Sequence, residues 1–140
     1  MAGAAALYTP EILALAAGLA EFPLLDGFAY VGDARSPLCG SMLTVGLDLD
    51  APGSVTKIGL RVHACAIGQA AAAIFAKAAI GRDRAAVEQA EADLRAWLEA
   101  GAAQPDWPGL STVAAAVAYP ARHGAILLPW KAALAALPTL

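Results

Sequence analysis

Residues 42–63 read MLTVGLDLDAPGSVTKIGLRVH, and the alternation within them decides the fold. Leu43, Val45, Leu47 and Leu49 fall on one side, Thr44, Gly46 and Asp48 on the other, which is the period-two pattern of a half-buried strand. Asp50, Pro52 and Gly53 supply a turn, and Ile58, Leu60 and Val62 then alternate with Lys57, Gly59 and Arg61 on the return. These residues predict a β-hairpin. At Cys65 the period changes, because Ile67, Ala70, Ala71, Ile74 and Ala78 recur at helical spacing as far as Gly81. Cys65 therefore stands where a strand gives way to a helix.

Outward from this core, Asp83 opens a further helix with Val87, Ala90, Leu94, Trp97 and Leu98 on one stripe, and Gly101 closes it. Glu91 is placed to pair with Arg95, and the acids from Glu88 to Glu99 read as a solvated face. Residues 104–109 form a proline-containing linker and residues 110–117 a short helix. A last helix carries Ile126, Leu127, Trp130, Leu134 and Leu137, with Pro129 expected to kink it or delay its start. Toward the N-terminus, Phe28 to Val31 reads as a short strand between glycine and proline breakers. Thr9-Pro10-Glu11 starts a helix that runs to about Ala20. Residues 1–140 are thus expected to form a single α+β domain, a small antiparallel sheet of about three strands with helices on one face.

Composition narrows the function. Of the 140 residues 59% are hydrophobic but only 6% aromatic, so alanine dominates the apolar count and predicts close helix packing. Trp97, Trp107 and Trp130 lie far apart in sequence and read as core or edge packing. A net charge of -3 with scattered basic residues gives no footprint for nucleic acid or an anionic membrane. No run of about 18 uncharged apolar residues would span a bilayer, and the first Lys or Arg is Arg35, too late for a secretory signal. The protein is expected in the cytoplasm, with Cys39 and Cys65 as thiols or metal ligands rather than a disulfide. Phosphate-binding glycine loops, a Gly-x-Ser-x-Gly elbow and paired helical histidines are missing from the sequence, and the Cys residues lack an adjacent triad. We expect a protein that is not an enzyme.

Cys65 at a helix start has amide dipoles that favour its thiolate. Cys39 lies in a turn just before the first hairpin strand, and antiparallel pairing brings the start of that strand and the end of its partner to one sheet edge. The two sulfurs can then be close. Both cysteines as small buried hydrophobes is the alternative.

Pro37-Leu38-Cys39-Gly40-Ser41-Met42 resembles the Pro-x-Cys-Gly-Asp segment of the NifU N-terminal (IscU/SufU) family of iron-sulfur cluster assembly scaffolds. His63-Ala64-Cys65-Ala66-Ile67-Gly68 resembles that family's Gly-Cys-Ala-Ile-Ser segment, residues 7–13 its first helix, and Arg122 to Trp130 its third motif, above all in SufU-like members. The resemblance implies a scaffold for a transient iron-sulfur cluster, of the [2Fe-2S] type, or for iron, with zinc as a further metal of the same site. Cys39 and Cys65 would be its ligands, and a cysteine desulfurase and recipient apoproteins its partners. The chain departs from the family at Ser41, where an Asp is expected, and at Ala125, or Gly124 with a one-residue slip, where a third Cys is expected. Residues 119–122 also depart from the Leu-Pro-Pro-Val-Lys chaperone signal. A cluster needs four protein ligands, so His123, His63 or Ser41 would have to join the thiolates, or a homodimer would have to share the cluster. A degenerate scaffold homologue that binds or regulates a partner without assembling clusters is the alternative function.

Overall fold

The computed structural model describes residues 7–139 of the chain. It has the expected α+β architecture, with helices against one face of a three-stranded antiparallel sheet of order β1-β2-β3. The strands are β1 (Tyr30–Arg35), β2 (Met42–Leu49) and β3 (Val55–His63). The helices are α1 (Pro10–Ala17), α2 (Ala66–Ala79), α3 (Arg84–Ala100) and α4 (His123–Ala136), with 3-10 segments at Gly18–Glu21, Leu110–Ala118 and Pro120–Arg122.

Capping explains the starts of α1 and α3 and the end of α3. Thr9 Oγ1 accepts the Ile12 amide at the start of α1 and Pro10 takes the first helical position, where its missing N–H costs nothing. Asp83 caps α3 by accepting the Ala86 amide, and Gly101 ends that helix in the left-handed region at φ 70°. Helix α1 is shorter than expected: it ends at Ala17 and tightens into a 3-10 turn through Glu21. Within α3, Glu91 pairs with Arg95 as expected but is buried, which corrects the reading of the α3 acids as a wholly solvated face. Helix α4 starts at His123 and carries Pro129 inside, so the late start expected from Pro129 does not occur.

The register Val45↔Leu60, Leu47↔Ile58 and Leu43↔Val62 puts the hairpin's apolar residues on one face, where the core lies. Helix α4 crosses β1 at Gly32, where a Cβ would stand 2.5 Å from the Ala132 carbonyl oxygen. Glycine there permits a contact between helix and strand backbones. The expected strand at residues 28–31 is displaced: β1 runs Tyr30–Arg35, and Phe28 instead lays its ring over the other face of the sheet. Gly46 and Gly59 are direct cross-strand partners there, and a Cβ on either would strike that ring. Above the opposite face, Phe75 stacks on Trp107 with ring centroids 5.4 Å apart, and Trp130 meets both edge-on. All three tryptophans are buried, as expected. Among the described residues no helix is long and apolar enough to cross a membrane.

Candidate functional site

Cys39 occupies the tight turn between β1 and β2. The Ser36 amide donates to the Ser41 carbonyl (2.8 Å) and the Gly40 amide to the Ser36 carbonyl (2.8 Å), so the backbone closes the turn without help from the thiol. Gly40 permits the closure with φ 72°, a conformation that costs a side-chain-bearing residue about 1–2 kcal/mol. Cys39 and its neighbour Leu38 are left exposed at the tip.

The Cys39 sulfur lies 3.3 Å from Ser36 Oγ and 3.1 Å from Ser41 Oγ, both hydroxyls belonging to buried residues. Partial burial works against the thiolate. It is outweighed by hydrogen bonds from the Ser36 and Ser41 hydroxyls and the Ser41 backbone, together with the positive charge of Arg122, so the Cys39 thiol is drawn below its ordinary pKa. Cys39 is thus an accessible sulfur whose surroundings favour its nucleophilic form more than those of a free thiol do.

Cys65 is half-buried against the core at the N-cap of α2, and its carbonyl accepts the Gln69 amide at 2.9 Å. Pairing of Met42 with His63 brings the end of β3 beside the start of β2, so the segments bearing Cys39 and Cys65 emerge from the same end of the sheet. The first turn of α4 joins them. A Cβ on Gly124 would collide with Ser36 of the Cys39 turn, and a Cβ on Gly68, one turn into α2 from Cys65, would stand 3.3 Å from Ala125 Cβ.

The remaining site residues are placed as follows. Ser41 is buried and turns its hydroxyl to Cys39. His123 begins α4 and is buried, with Nε2 2.8 Å from the Val117 carbonyl oxygen. A carbonyl only accepts, so Nε2 carries a proton there; in the neutral ring that leaves the lone pair on Nδ1, the nitrogen through which such an imidazole ligates. His63 is exposed on the outer face of the sheet. Ala125 is fully buried between α4 and α2. Among the described residues no three His, Cys, Asp or Glu side chains gather into a metal-holding group.

Two participants escaped the sequence reading. Ser36 stands three residues before Cys39, and the turn's closure folds it back onto the sulfur. Arg122 was noted for its place in a motif, whereas its contribution here is charge near Cys39. A hydroxyl directly across a four-residue turn from Ser41 was the available signal for Ser36.

Comparison with solved structures bears on the fold. The chain matches the crystal structure of a nitrogen-fixing NifU-like protein (N-terminal) from Brucella abortus with a TM-score of 0.83 and 28% identity, covering 91% of this chain and 90% of that one. It matches FiSufU, a candidate iron-sulfur cluster assembly scaffold protein for the SUF system from Fervidobacterium islandicum AW-1, with a TM-score of 0.83 and 21% identity over 97% of this chain and 100% of that one. No family model matches the sequence, and no curated protein does. The chain is therefore similar in structure, over nearly its whole length, to NifU N-terminal and SufU proteins.

Proposed function

We propose that this protein is a non-catalytic scaffold for iron-sulfur cluster assembly in the cytoplasm, taking sulfur at Cys39 and binding iron or a nascent cluster through Cys39 and Cys65. The observation that supports this reading is that the segments bearing an exposed thiol of lowered pKa and a second thiol at a helix N-cap leave the sheet from the same end. Its fold supports the same role, since a structural neighbour is a candidate scaffold of this kind. A cysteine desulfurase would deliver sulfur to Cys39, the sulfur that a bulky donor reaches first, and apoproteins would receive the product. Cys65 lies deeper and serves as the second ligand.

Two thiolates do not complete a [2Fe-2S] ligand set. His123 through Nδ1 and Ser41 through its hydroxyl would be the neutral groups to join them, or two chains of a homodimer would contribute two thiolates each. Zn²⁺, which also takes thiolate and imidazole, would compete for the same groups. A second reading, a degenerate homologue that docks on a desulfurase or recipient without building a cluster, is favoured by the buried neutral side chains of Ser41 and Ala125.

Anaerobic reconstitution with ferrous iron, cysteine and a cysteine desulfurase tests the two. The scaffold reading expects visible charge-transfer absorption and bound iron in the native chain, both lost in Cys39→Ser/Cys65→Ser. Absent iron with desulfurase binding retained by that variant would establish the second reading instead.

A further inference from the structure

The sheet has two edges, and the described chain covers only one of them. The Ser36 amide donates to the Ser41 carbonyl across the Cys39 turn, so within β1 the even-numbered residues turn their amides and carbonyls toward β2. Val31, Asp33 and Arg35 therefore turn theirs outward. The same alternation in β3 turns Leu60 outward, where its amide donates to the Phe22 carbonyl at 2.8 Å. Val55, at the start of β3, exchanges bonds with Gly81 and Arg82 at 2.8 Å each. Among the described residues no such bond reaches Val31, Asp33 or Arg35, and all three are exposed.

Natural proteins blunt a bare edge with charge, a bulge or a covering segment. Charge of one sign would do so here, but this edge carries both. Asp33 and Arg35 stand two residues apart on the outer face, and among the described residues neither has an ion-pair partner. Their side chains meet only neutral groups of β2, the Thr44 hydroxyl and the Met42 sulfur.

We propose that the β1 edge is an interface for a second copy of this chain, which adds its own β1 in antiparallel fashion about a two-fold axis at Ala34. In that register Asp33 of each copy faces Arg35 of the other. Both residues turn their backbone groups outward, so each pair exchanges backbone hydrogen bonds and sets opposite charges side by side. The neighbouring register, with Asp33 facing Asp33, sets carboxylate against carboxylate and is disfavoured. The charges thus select the register, and the two-fold symmetry closes the assembly at two chains. Val31, 56% exposed, falls beside Pro37 of the other copy and next to its Leu38, 77% exposed. Pro37 has no N–H to give, so the pairing ends there. Two three-stranded sheets become one, and the Cys39 turns leave the paired strands in opposite directions. This dimer is not the one in which two chains share a cluster: each site stays open at its own end.

The test is sedimentation velocity of the metal-free full chain under a non-thiol reductant and a chelator. So small an interface is weak, and the concentrations run up to about 500 μM. The native chain is expected to pass reversibly from monomer to dimer, and Cys39→Ser/Cys65→Ser to do the same, since the pairing needs neither thiol nor metal. Asp33→Arg and Arg35→Asp each set like charges against one another in both pairs and are expected to weaken the dimer at least about tenfold. Asp33→Arg/Arg35→Asp restores it, and an equimolar mixture of the two single variants forms a heterodimer. The proposal is overturned if the native chain stays monomeric throughout, if its dimer is lost in Cys39→Ser/Cys65→Ser, or if either single variant associates as strongly as the native chain. Failure of both the double reversal and the mixture to associate overturns it as well. None of these outcomes touches the scaffold reading, which reconstitution tests separately.

Discussion

The two hairpin turns of the sheet are built alike and used differently. In the β2–β3 turn, Asp50 Oδ1 accepts the amides of Gly53 (3.0 Å) and Ser54 (2.8 Å), and Gly53 turns the chain at φ 103°. In the β1–β2 turn the backbone closes through Ser36, Gly40 and Ser41, while Cys39, whose sulfur meets the Ser36 and Ser41 hydroxyls, takes no part in the closure. One turn spends its anionic group on holding the backbone. The other closes by backbone bonds alone, of the kind that also join Asp50 with Ser54 and Gly53 in the first, and leaves a sulfur free at the tip. A reactive group that the fold does not need is free to change partners.

Exchanging the groups would break this contrast most sharply. Cys39→Ser is expected to abolish sulfur uptake and cluster formation while shifting the free energy of urea unfolding by no more than about 0.5 kcal/mol. Asp50→Ala, by contrast, is expected to cost about 1–2 kcal/mol in the same unfolding experiment and to leave sulfur uptake at Cys39 unchanged. A Cys39→Ser variant as unstable as Asp50→Ala would mean that the thiol belongs to the scaffold of its turn.

Smaller effects sharpen the comparison at the glycines. Gly40→Ala and Gly53→Ala both place a Cβ at positive φ with open space around it, so each is expected to cost about 1 kcal/mol through backbone strain alone. Urea midpoints differing by the equivalent of more than that would show that one turn carries strain the other lacks. The smallest effect is in pH. In metal-free protein, iodoacetamide alkylation of Cys39 should rise with pH and reach half its maximum below the ordinary thiol value, and Ser41→Ala should move that midpoint upward. Because the folded pKa is the lowered one, the small stability it contributes is present above the unfolded thiol's pKa and is lost as pH falls through the folded value.

Much of this was legible in the sequence where side chains are large and periodic. The 42–63 hairpin and the helices after Cys65 and Asp83 follow from periods of two and 3.6, because Leu, Ile and Val mark the buried face. Strand β1 was harder to place, since its inward residues include Ala34 and Gly32, the latter kept small by an approach of α4 backbone that no local pattern announces. Phe28 looked like a strand residue because β-propensity scores an aromatic ring without knowing that two glycines lie waiting beneath it. Pro129 did not delay its helix, because a segment packed into the core on several sides tolerates the loss of one backbone bond. The nearness of the two cysteine segments followed from antiparallel pairing, but Ser36 enters the site through turn closure and through the packing of Gly124, which depend on coordinates rather than on pattern.

The aromatic cluster described above has a consequence for how this molecule responds to light. Phe75, Trp107 and Trp130 lie within 5.4 Å of one another, with interplanar angles of 9°, 74° and 78°, in the rigid interior. Rings fixed in an asymmetric array give strong near-ultraviolet circular dichroism and shared quenching, so the 280–300 nm region reports on whether α2, α4 and the 104–109 linker are docked. Thiolate-to-iron bands at Cys39 and Cys65 would fall at longer wavelengths. One sample can thus be followed at two colours, one for the integrity of the interior and one for any iron taken up at the thiols in the reconstitution.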